Sequence, residues 1–278
     1  NGTTNFILSE MRDKGLPFAE VLKEAQALGY AEADPTFDIE GVDAAHKVTI
    51  MSAIAFGVPM QFGAAHVEGI TRLEATDIAY AEQLGYRIKL LGIARMREEG
   101  IELRVHPTLV PEKRLIASVE GAMNAVQVQA DAVGSTLYYG KGAGAEPTAS
   151  AVIADLVDVT RLHTADPEHR VPHLAFQPDQ VRDLRVLPIE DVITSYYLRM
   201  RVEDKPGVLA DITRILADSE ISIEALLQKE AEEGESHTDI IMLTHRTVER
   251  NANAAIKLIE ALPVVKGAVT RIRMESLE

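Results

Sequence analysis

Apolar residues change their spacing several times along this chain. Phe6, Ile7 and Met11 precede Gly15 and Pro17, after which Val21, Leu22 and Ala25 keep helical spacing until Gly29. Two short helices are predicted, stopped and restarted by the glycine and proline. A third helix is expected from Val42 to Phe56, ended by Gly57 and Pro59. Ala44, Ala45, Val48, Ile50, Met51 and Ile54 surround its axis, the pattern of a buried helix. From Tyr86 to Val110 the period becomes two, and the strand-like halves meet at Glu98, Glu99, Gly100 and Ile101, an antiparallel hairpin signal. Two more strands, Ala122 to Ala130 and Val133 to Tyr139, are predicted around a turn near Asp131.

A glycine-rich turn, YGKGAGAEPTASAV, then leads into an apolar helix with Pro147 at its start. The tract from His163 to Pro188 is rich in Pro, Asp and Arg and lacks a period, as a linker would. From about Asp191 a compact unit follows. A strand (Thr194 to Val202) and the turn EDKPG lead to a helix with Val208, Leu209, Ile212, Ile215 and Leu216 on one face. Next come a strand (Ile221 to Lys229), the charged turn EAEEGES, a strand (Thr238 to His245), a helix (Val248 to Leu262) and a strand (Val264 to Met274). That order is βαββαβ. The expected fold class is therefore α+β, with helices covering a mixed or antiparallel sheet and a ferredoxin-like module at the end.

Composition narrows the partners. The 278 residues suit two domains, and 46% hydrophobic with 26% charged residues is ordinary for a globular protein. A net charge of −15 argues against nucleic acid or an anionic membrane and leaves a small molecule. The absence of cysteine excludes disulfides and thiolate chemistry and fits a cytoplasmic location. No apolar run approaches the roughly 18 to 20 residues needed to span a bilayer.

Candidate chemistry concentrates in GYAEADPTFDIEGVDAAHK, residues 29–47. On a helix starting near Val42, Asp43 and Lys47 share a face four residues apart, with Glu32, Asp34 and Asp38 on the loop before it. Burial would lower the pKa of Lys47 and raise those of the carboxylates, while pairing opposes both shifts, a competition used to prepare proton-transfer groups. The plain alternative is a surface ion pair following acids that favour the positive end of a helix. Against it stands the expected burial of that helix, since a buried carboxylate and ammonium need a partner. Asp34, Asp38 and Asp43 lack the alternate-position spacing of a calcium loop, so no metal is expected. His46 and His66 are lone histidines, expected to be structural or exposed.

The run AQALGYAEADPTFDIEGVDAAHK, residues 25–47, resembles the signature of the homoserine dehydrogenase family, with Gly29, Asp34, Pro35, Asp38, Gly41, Asp43 and Lys47 at its spacings. NGTTNFI at Asn1 and GKGAGAEPTASAV at Gly140 share the likeness, which covers residues 1–165 as a substrate-binding and catalytic domain. The resemblance implies NAD(P)-dependent interconversion of L-homoserine and L-aspartate 4-semialdehyde, on the branch to threonine and methionine. It implies that Glu32 and Asp43 hold the substrate ammonium with Asp38 beside them, that Lys47 lies at the reacting oxygen, and that Gly2, Thr3 and the Tyr30 backbone line the pocket. It places Gly140, Gly142 and Gly144 at the nicotinamide end of a cleft, with residues 140–162 returning to a nucleotide-binding domain. By spacing alone, G-x-G-x-G is weak evidence for cofactor binding. The first residue is not methionine, and the resemblance implies that the nucleotide-binding domain precedes Asn1, so that this chain alone is expected to be inactive.

Residues 166–190 are expected to link this domain to an ACT-like domain over 191–278. EDKPGVLADITRIL carries that second resemblance. It implies amino-acid feedback, with threonine as the pathway's end product, at a helix N-terminus where Gly207 admits a ligand carboxylate and Asp204 an ammonium. A dimerisation module that binds nothing is the alternative, and an amino-acid-sensing ACT unit on a non-catalytic scaffold is the alternative for the whole chain. Exposed sheet edges suit pairing into a homodimer or homotetramer.

Overall fold

The computed structural model describes residues 1–163, 172, 174–229 and 234–277. Part of the expected linker and most of the EAEEGES turn therefore lie outside the described residues. The chain divides into two compact units: residues 1–75, 90–106 and 113–186, and residues 76–89, 107–112 and 187–278.

The first unit opens with α1 (Gly2–Lys14) and α2 (Phe18–Ala27), separated by Gly15 in the left-handed conformation at the α1 C-terminus. Asn1 caps α1, its side-chain oxygen accepting from the Thr4 N–H. The acidic loop contains a one-turn helix, α3 (Thr36–Ile39), whose start is shaped by Asp34, with Oδ1 accepting from the Thr36 N–H. Gly41 then adopts φ 82°, and α4 (Val42–Phe56) begins. A Cβ on Gly41 would stand 3.1 Å from Val105 Cγ1 and 3.3 Å from the Glu68 carbonyl, so only glycine lets this turn pack so closely.

The expectation of a fully buried α4 is not met. Ala45, Val48, Thr49, Ser52 and Ala53 are buried, whereas His46, Lys47, Ile50 and Ile54 are exposed. Apolar Ile50 and Ile54 extend the stripe that Asp43, His46 and Lys47 begin, so the pattern hid an exposed face. Its buried face joins Leu103 and Val105 in a small core bordered by Leu90, Ala94 and Val186.

A two-residue strand, β1 (His66–Val67), and the helix α5 (Ala75–Gln83) precede the hairpin strands β2 (Tyr86–Arg97) and β3 (Gly100–Pro111). Neither β1 nor α5 is marked by the apolar period. β1 runs parallel to β3, pairing His66 with Arg104 and Val67 with Val105. β4 (Met123–Ala130) and β5 (Gly134–Lys141) form a separate two-stranded antiparallel sheet. Asn5 on α1 reaches the chain entering β4, donating to the carbonyls of Val119, Gly121 and Met123. After the glycine-rich turn comes α6 (Ala145–His163), exposed along its length, including Val152, Ile153, Leu156 and Val159. Within the expected linker, the Arg182 N–H donates to the Gly57 carbonyl at 2.7 Å, and Ile101 bridges to Val186.

The second unit contains the βαββαβ module. β6 (Ile193–Glu203), α7 (Val208–Asp218), β7 (Ile223–Gln228), β8 (His237–Thr244), β9 (Thr247–Val248), α8 (Glu249–Glu260) and β10 (Val265–Met274) follow in order. Its antiparallel strands lie in the order β10-β6-β8-β7. Leu198, Met200, Ile212, Leu216, Ile240, Met242 and Ile259 form the core between sheet and helices. The end of β3 adds to this sheet beside β10, Thr108 pairing with Arg273 and Leu109 with Met274.

Candidate active site

The acidic run converges on one end of α1 and the start of α4. Lys47 Nζ donates to Asp43 Oδ2 at 2.7 Å, one helical turn apart. The Asn1 Nδ2 donates to the same Asp43 Oδ2 at 2.7 Å and to Asp38 Oδ1 at 2.6 Å. Thr3 Oγ1 lies 2.9 Å from Asp38 Oδ2 and 2.8 Å from the Tyr30 carbonyl. Thus Asp38, Asp43, Lys47, Thr3 and Tyr30 meet although they come from two helices, a one-turn helix and a loop.

Burial pushes the Asp43 carboxyl up, but the hydrogen bonds from Lys47 and Asn1 and the Lys47 charge outweigh it, and its pKa falls below the ordinary value. The Lys47 side chain is 58% exposed and that of Asp43 19%, so the argument from a buried ammonium does not hold. The pair alone has the geometry of a surface ion pair. What distinguishes it is the second carboxylate tied to the same amide.

Glu32 lies on the exposed loop after Tyr30, and its side chain has no partner among the described residues. Tyr30 packs its ring against Phe6, with centroids 4.6 Å apart. Gly2 approaches the start of β4 so closely that a Cβ would stand 2.9 Å from the Ala122 carbonyl oxygen.

Asn124 connects this end of α1 to the glycine-rich turn. It is the register partner of Gly140, and its Nδ2 would stand 2.7 Å from a Cβ on Gly142 and 3.5 Å from one on Gly2. Gly144, at φ 119°, begins the approach to α6. His46 stacks on Phe62 at 4.1 Å, and His66 Nε2 pairs with Glu68 Oε1 at 2.8 Å. Sequence reasoning gave no role to Asn1 or Asn124. The helix-cap preference of asparagine marks Asn1 as a start signal, but nothing in the local pattern marks its contact with residues 38 and 43.

In the second unit Gly207 precedes α7 at φ 97°, a conformation that favours glycine. Asp204 is exposed in the turn before it, and its N–H donates to the Ser236 carbonyl at 3.0 Å.

A family model described as homoserine dehydrogenase matches residues 1–157, more than half of the chain. The chain belongs to the homoserine dehydrogenase family. A second model, described as an ACT domain, matches residues 196–264. Homoserine dehydrogenase relatives from Neisseria gonorrhoeae and Pseudomonas aeruginosa are each 62% identical over 277 residues, covering 100% of this chain. The chain spans 63% and 64% of the lengths of these curated relatives. A crystal structure of a homoserine dehydrogenase from Thiobacillus denitrificans superposes with a TM-score of 0.94 at 72% identity, covering 100% of this chain and 63% of that one. One from S. aureus gives 0.72 at 32% identity, covering 99% and 63%. No helix among the described residues is long and apolar enough to cross a membrane.

Proposed function

We propose that the first unit carries the substrate half of a homoserine dehydrogenase site, acting in the NAD(P)-dependent interconversion of L-homoserine and L-aspartate 4-semialdehyde. The observation that carries this reading is the meeting of Asp38, Asp43 and Lys47 at the α1 N-terminus. Two carboxylates, Asp38 and Asp43, stand with one ammonium, an excess of negative charge suited to the α-ammonium of an amino acid, and Glu32 on the exposed loop after Tyr30 supplies a further carboxylate. Glu32 and Asp43 take that group, and Asp38 flanks them. Lys47 sits at the carbinol oxygen of homoserine. As the alcohol becomes an aldehyde, the hydroxyl proton passes to Lys47 in its neutral amine form, the ammonium so formed stabilises the charge on the oxygen, and a proton then leaves Lys47 to solvent. The exposure of Lys47 leaves it free to swing from Asp43 to that oxygen.

The hydride acceptor for the carbinol carbon would be supplied by NAD(P)+ when bound. The chain's own contribution is the turn through Gly140, Gly142 and Gly144. A Cβ on Gly142 would collide with Asn124, and no side chain of these three shields the backbone, so the turn fits close approach by a flat ring. The remainder of the cofactor site is assigned to residues outside this chain's described units.

The ACT module is assigned amino-acid sensing, with threonine as effector of the threonine and methionine branch. Asp204 takes its ammonium, and the backbone after Gly207 takes its carboxylate. Pairing of modules in a homodimer or homotetramer would extend the exposed sheet edge.

The test is turnover of L-homoserine with NAD+ and NADP+ by the full-length protein and its Lys47→Ala variant. Loss of activity on a folded protein is expected. An unchanged rate would remove Lys47 from the chemistry, and a parent that leaves homoserine untouched while binding threonine calorimetrically would favour the sensing-scaffold reading.

A further inference from the structure

Asn1 has no role in the mechanism above, yet its side chain touches three elements. The Oδ1 atom accepts from the Thr4 N–H at 2.9 Å, capping α1. That bond fixes the amide's direction: exchanging its oxygen and nitrogen would set an acceptor against two carboxylates and lose the cap. The NH2 group therefore faces Asp38 Oδ1 at 2.6 Å and Asp43 Oδ2 at 2.7 Å. Both oxygens lie on one nitrogen, and such close like charges repel when nothing bridges them.

We propose that Asn1 is a positioning residue, an amide clamp that holds Asp38 and Asp43 together and so commits Asp43 Oδ2 to the helix side while Oδ1 takes the substrate ammonium. The idea rests on the substrate site assigned above. Its geometric support is the unequal use of the two Asp43 oxygens: Lys47 and Asn1 both donate to Oδ2, and no donor reaches Oδ1 among the described residues. Asp38, by contrast, is engaged at both oxygens, by Asn1 and by Thr3. Asp38 thus serves as the fixed wall of the clamp and Asp43 as its working arm.

Two variants separate clamp from cap. Asn1→Asp keeps an oxygen for the Thr4 N–H but replaces the donor with a third carboxylate. Asn1→Ser keeps a capping oxygen and removes the donor without adding charge. In the full-length protein with saturating NAD(P)+, kcat/KM for L-homoserine is expected to fall roughly 10- to 100-fold in both, the usual effect of deleting one charge-assisted hydrogen bond. The unfolding midpoint should stay close to that of the parent.

The charged side chains around Asp43 are Asp38 on α3 and, on its own helix, Lys47. Both remain in Asn1→Ser, so loss of the amide alone should move the Asp43 carboxyl titration, followed by NMR, to higher pH, together with the acid limb of kcat/KM. A rate loss matched by a lower unfolding midpoint, with an unmoved titration, would reduce Asn1 to a helix cap and overturn the proposal. An unchanged rate and titration would do the same. If the parent does not oxidise homoserine, the functional reading fails, and the carboxyl titration still decides the clamp.

Discussion

The acids of the first unit's site and those buried in the second unit use the same chemistry in opposite ways. Glu249, 1% exposed, accepts from Tyr196 Oη at 3.1 Å, Arg273 Nε at 2.7 Å and Arg271 Nη1 at 3.1 Å, using both carboxylate oxygens. Asp77, fully buried, accepts from Tyr197 Oη at 3.0 Å and from Arg199 at 2.6 and 3.0 Å, again on both oxygens. Burial first, and then these carboxylates, pushes both tyrosine hydroxyls well above their ordinary pKa, so they remain donors. At the candidate site both donors to Asp43 fall on one oxygen, and Glu32 has no partner among the described residues. Saturated, desolvated carboxylates hold a fold in one arrangement. Exposed carboxylates with an unused oxygen can take a ligand.

Removing a saturated carboxylate should have the largest effect. Glu249→Ala removes the buried carboxylate that pairs with Arg273 and accepts from Tyr196, and is expected to destabilise the second unit by about 3–5 kcal/mol, measured by denaturant unfolding. A loss below about 1 kcal/mol would mean that the network is not desolvated, and the contrast between the two regions would collapse.

Lys47→Ala should do the reverse. As an exposed partner in an i,i+4 pair it contributes at most about 0.5 kcal/mol to stability, yet kcat/KM for homoserine in the full-length protein should fall roughly a hundredfold or more. Equal losses of stability and rate would make Lys47 structural and erase the distinction.

Gly41→Ala sits between these cases. Its positive φ and the 3.1 Å approach of Val105 to the added methyl predict a loss of about 1–2 kcal/mol in thermal unfolding. Because Gly41 sets the start of α4, the rate should fall along with stability, unlike in Lys47→Ala.

Much of this was legible in the sequence. The βαββαβ order, the hairpin turning at Glu98–Gly100 and the first helices follow from local apolar period and from Gly and Pro stops. Asp43 and Lys47 were legible because both stand on one helix at fixed spacing. The exposure of Lys47 was hidden, since Ile50 and Ile54 give its face an apolar look. Asn1 was hidden for a different reason: its partners Asp38 and Asp43 lie 37 and 42 residues away, and no periodicity encodes which side chain closes a loop of that length. Asp77 and Tyr197, 120 residues apart, were unreadable on the same ground.

The smallest effect has a sign fixed by the pKa direction. Asp43 titrates below the ordinary aspartate value of 3.8 in the folded chain, so folding favours its charged form. Its contribution is fully present above the unfolded pKa and is lost as pH falls through the depressed folded one. Comparing the parent with Asp43→Asn, the stability gap should be constant from neutrality down to about pH 5 and should close below the ordinary value. Partial exposure keeps the gap small, within the range of a surface pair. A gap that widened on acidification would mean that the carboxyl is protonated more readily in the folded state, as a saturated but mismatched buried acid would be. Asp43 would then belong with the buried acids of the second unit rather than with a ligand site.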